Sequence, residues 1–96
     1  MDTESFERLA DSFKALSDPK RLRLLHLLSQ KKYVKKLSVS ELADELGISQ
    51  PNVSHHIKIL KAVGLVRCAK KDGCSYYATD TERLRVLTSS LDPHFE

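Results

Sequence analysis

The chain has 96 residues, 41% apolar and 30% charged, which suits one folded domain spanning 1–96 and excludes a disordered chain. Apolar runs are only a few residues long, which excludes a membrane span, and the acidic start lacks the features of a secretion signal, so the expected location is the cytoplasm. The formal charge is only +3, but between Lys14 and Gly73 there are 13 basic and five acidic residues, against three basic and eight acidic at the two ends together; a basic middle points to an anionic partner, nucleic acid first.

Residues 4–17 carry Phe6, Leu9, Ala10, Phe13 and Leu16 at steps of three and four, the period of an amphipathic helix. Asp18-Pro19 restarts the chain, Asp18 as an N-cap and Pro19 at the first helical position. The helix that follows holds Leu22, Leu24, Leu25, Leu27 and Leu28, apolar on more than one side as a central helix is. Lys31, Lys32, Lys35 and Lys36 then make a basic linker, a candidate for phosphate contact. Leu37-Ser38-Val39 reads as a small strand, and Ser40 as the cap of a short helix, SELADEL, that buries Leu42, Ala43 and Leu46 and ends at Gly47.

Ile48 precedes a second cap, Ser49. Gln50 and Pro51 open a helix whose buried stripe is Val53, Ile57, Leu60 and Val63, closed by Gly64. Beyond it the period changes to that of strands. LVRCA and CSYYAT flank KKDG, a turn signal, giving a hairpin with a basic tip. A last helix over 81–90 carries Leu84, Val86 and Leu87, followed by Leu91. The expected fold is mainly α with a small β-hairpin, in the order α-α-β-α-α-β-β-α. Two short helices around Gly47-Ile48-Ser49 make a helix-turn-helix, and the hairpin is its wing.

That arrangement sets the chemistry. A recognition helix brings short polar side chains at its N-terminus to base edges in the major groove, with an apolar face behind. Gln50, Asn52, Ser54 and His55 are the base-reading candidates, since Gln and Asn pair bidentately with adenine and Ser bonds several bases. Phosphate contacts are expected from Ser49 at the helix start, His56, Lys58, Lys61, Arg67, Lys70 and Lys71. His55 and His56 are adjacent, so about 100° apart on a helix, and do not converge on one metal. No phosphate loop, metalloprotease motif or nucleophile elbow occurs, so no enzyme and no cofactor are expected. The carboxylates Glu41, Asp44 and Glu45 read as a solvated face.

The segments FKALSDPKRLRLLHLL, LSVSELADELGISQPNVSHHIKILKAVGLV and VRCAKKDGCSYYAT, over roughly 13–80, resemble the ArsR/SmtB family of winged-helix transcriptional repressors. The resemblance implies a homodimer held by the first and last helices, reading a pseudo-palindromic operator in double-stranded DNA. It implies repression when bound and release on a signal, in many members a metal ion or arsenic(III). The chain departs from the family's metal sites. Where arsenic- and cadmium-type members carry cysteines, it has Ser38 and Ser40, and hydroxyls do not replace thiolates for a soft metal. Of the zinc-type set on the last helix, Asp80 matches the first ligand, but Glu82 and Pro93 stand at the histidine positions, with His94 displaced by one; neither familiar metal site is expected.

Cys68 and Cys74 lie on opposite strands of the wing. A three-residue turn with Gly73 as the bulge would pair Lys70 with Cys74 and put Cys68 diagonal to Cys74 on one face, about 7 Å away. That is long for an unstrained disulfide. Nearby cations still favour a reactive thiolate. A redox or soft-metal switch through the two cysteines is therefore one alternative function, beside two unreactive strand residues. Another is a protein-interaction module that kept the fold without DNA binding.

Overall fold

A computed structural model of the chain describes residues 3–30 and 37–91. The elements are α1 (Thr3–Leu16), α2 (Pro19–Ser29), β1 (Leu37–Ser38), α3 (Val39–Leu46), α4 (Gln50–Ala62), β2 (Val66–Lys71), β3 (Cys74–Thr79) and α5 (Thr81–Ser89), in the order expected for a winged helix-turn-helix. The four linker lysines, Pro93 and His94 lie outside the described residues.

Local signals place most of the boundaries. Asp18 accepts the backbone N–H groups of Lys20 at 2.8 Å and Arg21 at 3.3 Å, capping α2 ahead of Pro19. Ser49 accepts the N–H of Asn52 at 3.3 Å and caps α4. The cap of α3 is a correction. Ser40, the expected cap, sits exposed inside the first turn, and Ser38 does the capping. Its hydroxyl receives the Glu41 N–H at 3.3 Å, while the Glu41 carboxylate accepts the Ser38 N–H at 3.2 Å and its hydroxyl at 2.9 Å. A glutamate three residues after Ser38 completes this reciprocal box, and Ser40 has no such partner.

The turn between α3 and α4 depends on a left-handed residue. Gly47 has φ +66°, and both its N–H and that of Ile48 reach the Ala43 carbonyl, at 2.9 and 3.2 Å. This closes α3 with the bonds its last turn lacks and turns the chain abruptly into Ser49.

The hairpin register is the second correction. Asp72 and Gly73 have φ +53° and +77°, and Lys71 pairs with Cys74, so the turn has two residues rather than three. Two consecutive positive φ values are the mark of a type I′ turn, whose twist matches that of the strands. Aspartate tolerates the left-handed region at its first position, so Asp-Gly closes the hairpin without a bulge. The new register pairs Cys68 with Tyr77 and Lys70 with Ser75. β1 joins the hairpin along β3, pairing Leu37 with Tyr77, to give an antiparallel sheet of order β1-β3-β2.

The core forms where α2, α3, α4 and the base of the hairpin meet. Leu24, Leu42, Val53, Leu60 and Leu65 are wholly withdrawn from water, with Leu25, Ala43, Leu46, Ile57 and Val66 around them. α2 is central, packing against α1, α3, α4 and β3, and the Thr79 hydroxyl donates to the Leu25 carbonyl at 3.1 Å, pinning the end of β3 to it. The outer helices are less covered. Leu87 is the only residue of α5 that is buried, and Phe6, Val86 and Leu91 are at least half exposed.

A Cβ placed on Gly47 would meet nothing within 4 Å, so substitution there isolates the backbone cost. Gly47→Ala is expected to lower unfolding free energy by roughly 1–2 kcal/mol, the cost of a left-handed alanine, and Gly47→Asn by less, because asparagine enters that region more readily. Urea denaturation of the two variants checks the ordering; an alanine variant as stable as the wild type would remove the strain argument.

Candidate nucleic-acid interface

The buried stripe of α4 decides what its other sides present. Val53, Ile57 and Leu60 face the core, and Gln50, Asn52, Ser54 and His55 are all exposed. At about 100° per residue, Gln50, Ser54 and Lys58 follow one strip along the helix, and His55 stands about 140° around from Gln50. Asn52 stands about 160° around from Gln50, on the opposite flank. The expected base-reading set is therefore divided: Gln50 and Ser54 share one flank of the helix, and Asn52 and His55, three residues apart and about 60° from each other, share the other. Ser49 spends one acceptor position on its cap, which holds this edge in place.

His56 is half-buried, as its place between Val53 and Leu60 predicts. Its Nδ1 is out of contact with water and has no hydrogen-bond partner, and the same holds for Nε of Arg21. Burial pushes the His56 imidazole below its ordinary pKa, only partly opposed by the Asp18 carboxylate, while Arg21 pushes it further down. For Asp18 burial acts upward, but the N–H groups of Arg21 and Lys20 outweigh it and leave the carboxyl lower than usual. α4 packs against α2, and His56 lies within electrostatic reach of Asp18, Lys20 and Arg21 at the start of that helix, a neighbour relation that periodicity alone does not reveal. The rings of His55 and His56 lie 5.8 Å apart, tilted by 55°.

The basic residues fall into separate places. Lys70 and Lys71 are exposed at the wing tip. Lys58 is exposed on the polar strip of α4. Lys61 is eleven residues beyond Gln50, about 17 Å along the axis, and borders a cavity with Asp11 and Asp80 rather than the reading edge. Arg67 is already engaged: its Nε and Nη2 donate to one oxygen of Asp80 at 3.0 and 2.9 Å, though the side chain stays 71% exposed. The other Asp80 oxygen accepts the Arg83 N–H at 3.0 Å and caps α5. Asp80 therefore ties the first strand of the wing to the last helix.

A model of the family described as "Bacterial regulatory protein, arsR family" matches residues 18–67. An uncharacterized HTH-type transcriptional regulator of Methanocaldococcus jannaschii is 35% identical over 89 residues, which span 93% of this chain and 97% of that protein. The chain belongs to the ArsR family. A second relative, the arsenical resistance operon repressor of Staphylococcus xylosus, is 35% identical over 88 residues, 92% of this chain and 81% of that one. Among solved structures, the homodimeric winged helix-turn-helix DNA-binding domain of a possible ArsR-family regulator from Mycobacterium bovis superposes with a TM-score of 0.76 at 25% identity, covering 92% of this chain and 81% of that one.

Within this ArsR-family chain, Ser38 and Asp80, two of the positions that the resemblance sets against familiar metal ligands, have other partners, and Ser40 faces solvent. Ser38 caps α3, Ser40 is exposed in its first turn, and Asp80 caps α5 and binds Arg67. Among the described residues, no three His, Cys, Asp or Glu side chains gather as a metal site would require. The wing cysteines are not on one face as the three-residue turn implied. Cys68 pairs with Tyr77 and Cys74 with Lys71, three rungs apart, and alternation puts them on opposite faces. Both are free thiols, Cys68 partly covered and Cys74 exposed.

Two outcomes follow. The carboxyl of Asp80 is held below the ordinary aspartate pKa, first by the Arg83 N–H and then by the Arg67 side chain. A depressed folded-state pKa contributes stability that is complete above the unfolded value near 3.8, declines below it, and is gone once the folded-state group is itself protonated. Asp80→Asn keeps a capping oxygen and loses the titration, so its urea midpoint is expected to fall less than that of the wild type between about pH 5 and about pH 2.5; equal falls would mean that Asp80 contributes nothing there. For the cysteines, a thiol-oxidising reagent such as diamide is expected to leave the monomer without an internal Cys68–Cys74 bridge. Maleimide is expected to label Cys74 first. Peptide mapping showing a Cys68–Cys74 crosslink within one chain would overturn the assigned register.

Proposed function

We propose that the protein is a homodimeric transcriptional repressor that binds double-stranded DNA at a pseudo-palindromic operator and acts by occupying it. The observation that carries this reading is the pairing of an exposed polar strip on a helix locked by its apolar side with a basic hairpin next to it, in a chain of the ArsR family. Gln50 and Ser54 read bases from one flank of α4, and Asn52 and His55 from the other. Ser49, His56, Lys58, Lys70 and Lys71 supply phosphate contacts, which bring affinity with little sequence information. Arg67 joins them only by leaving Asp80. Lys61, at the far end of α4, is the weakest member of the set.

Self-association is supported by α1, α5 and the turn after α5, which leave Phe6, Val86 and Leu91 to solvent while α5 packs thinly on its own chain. Two recognition helices related by a twofold axis suit an operator of two half-sites about one helical turn apart. The Mycobacterium bovis domain, described as homodimeric, agrees with this arrangement.

Fluorescence-anisotropy titrations of the upstream duplex and a scrambled duplex, at several salt concentrations, test the reading. Gln50→Ala or Ser54→Ala is expected to cost roughly 1–3 kcal/mol on the specific duplex and much less on the scrambled one. Lys71→Gln is expected to weaken both alike and to reduce the salt slope by about 0.9, the value for one neutralised phosphate. Equal losses on both duplexes for the Gln50 variant would remove its base-reading role. Absence of binding to any duplex at low salt would leave the fold as a protein-interaction module.

A further inference from the structure

The cations of α4 are unevenly placed around it. Lys58 and Lys61 lie within about 80° of Gln50, on the Gln50–Ser54 side of the helix. The other side holds Asn52, His55, His56 and Ile59, and no lysine or arginine. A duplex needs charge on both sides. The major groove is about 12 Å wide and a helix with its side chains about 10–12 Å across, so a helix seated in the groove has a phosphate backbone along each flank.

The start of α2 stands where α4 lacks charge. His56 is four residues beyond Asn52, on the same side and one turn further along. Asp18, Lys20 and Arg21 all lie within electrostatic reach of it. None of these residues belongs to α1 or α5, the helices left for a partner subunit. Asp18 is the one carboxylate of the group, and its Oδ1 already accepts the N–H groups of Lys20 and Arg21. Those are the donors a helix start would offer an anion, so the backbone of α2 is not itself a phosphate site. The other Asp18 oxygen stands 3.9 Å from Nη2 of Arg21, close enough for attraction but too far for a hydrogen bond. The Arg21 side chain is 15% exposed, a charge fixed by packing that offsets Asp18. Lys20 is exposed, and its side chain makes no ion pair with a described residue.

We propose, resting on the DNA-binding reading, that Lys20 binds a DNA backbone phosphate along the Asn52 flank of α4, so that the interface extends from the recognition helix onto the start of α2. Arg21 is a positioning residue here: it balances the Asp18 carboxylate, which would otherwise cancel the charge of Lys20. The contact adds affinity and carries no base sequence.

The test repeats the anisotropy titrations on the upstream and scrambled duplexes with Lys20→Gln, Lys20→Arg and, as a control for net charge, Lys14→Gln in the last turn of α1. Lys20→Gln is expected to weaken both duplexes alike. Between about 50 and about 200 mM salt the wild type is expected to lose about three- to fourfold more affinity than this variant, the factor for one neutralised phosphate. Lys20→Arg and Lys14→Gln are expected to keep the wild-type salt slope. In a second measurement the wild type is acetylated with and without duplex and mapped by mass spectrometry; Lys20 is expected to be protected by DNA and Lys14 not. A Lys20→Gln variant with the wild-type slope, an equal fall in slope for Lys14→Gln, or a Lys20 acetylated as readily with DNA as without it would overturn the proposal and leave the DNA-binding reading standing. A wild type that binds neither duplex at low salt would overturn both. Should Lys20→Gln not fold, the protection of Lys20 in the wild type decides the matter.

Discussion

The rotation of α4 about its own axis is the constraint on which everything else depends. Val53, Ile57 and Leu60 are buried against Leu24, Leu42 and Leu65, and each such side chain contributes roughly 1.5–3 kcal/mol by leaving water. Turning the helix by one residue would drive Ser54 or His56 into that space and expose the aliphatic stripe, adding the cost of unpaired polar groups to the lost burial. The polar strip of Gln50, Ser54 and Lys58 is therefore placed by side chains that touch no ligand. Ser49, Pro51 and Gly47 fix where the helix starts, and the core fixes which way it faces. An interface that reads another molecule needs both, because a side chain displaced by an ångström or a few tens of degrees no longer meets its hydrogen-bonding partner.

Asp80 is the second organising residue, because it serves two elements with two oxygens. One oxygen starts α5 and the other holds the wing strand through Arg67. The ion pair is mostly solvent-exposed on the arginine side, so it contributes little net stability and chiefly sets direction. Thr79, immediately before it, is tied to α2. The end of β3 is thus pinned to the core, and the chain pivots into α5 directly after the pin. Arg83 extends the same junction to the C-terminal end of the recognition helix by lying over Gly64.

Much of this was legible in the sequence, for reasons that differ by residue. The helix order, the buried stripe of α4, the left-handed Gly47 and the caps Asp18 and Ser49 follow from periodicity and from residue types with a single local use. Two serines lie two residues apart at the start of α3, and only the reciprocal bond with Glu41 distinguishes Ser38 from Ser40. The Ser-x-x-Glu spacing was present in the sequence as the signal that separates them. The hairpin was visible in Asp-Gly, but its register depended on whether Asp72 would accept a positive φ, and a one-residue difference in loop length moved Cys74 to the other face. Arg67 read as a free cation because its partner, Asp80, is thirteen residues away. The approach of Lys20 to the flank of α4 was not legible, since α2 and α4 meet only through tertiary packing.

These placements also divide the molecule by how firmly its parts are held. The helix-turn-helix is closed by caps at both helix starts, by left-handed glycines at both ends, and by fully buried aliphatic residues on every internal side. α5 has one buried residue and an N-terminal cap. Its position within one chain therefore rests on its covalent start at Asp80 and on Leu84 and Leu87 against the core. A second copy of the chain covering Phe6, Val86 and Leu91 would add apolar burial where the single chain has least. The wing leaves the core at a base fixed by Thr79 on α2 and by β1 along β3, and Arg67 links that base to the residue that begins α5. The helix-turn-helix is thus held rigidly by the single chain, and α5 is the element with most to gain from association.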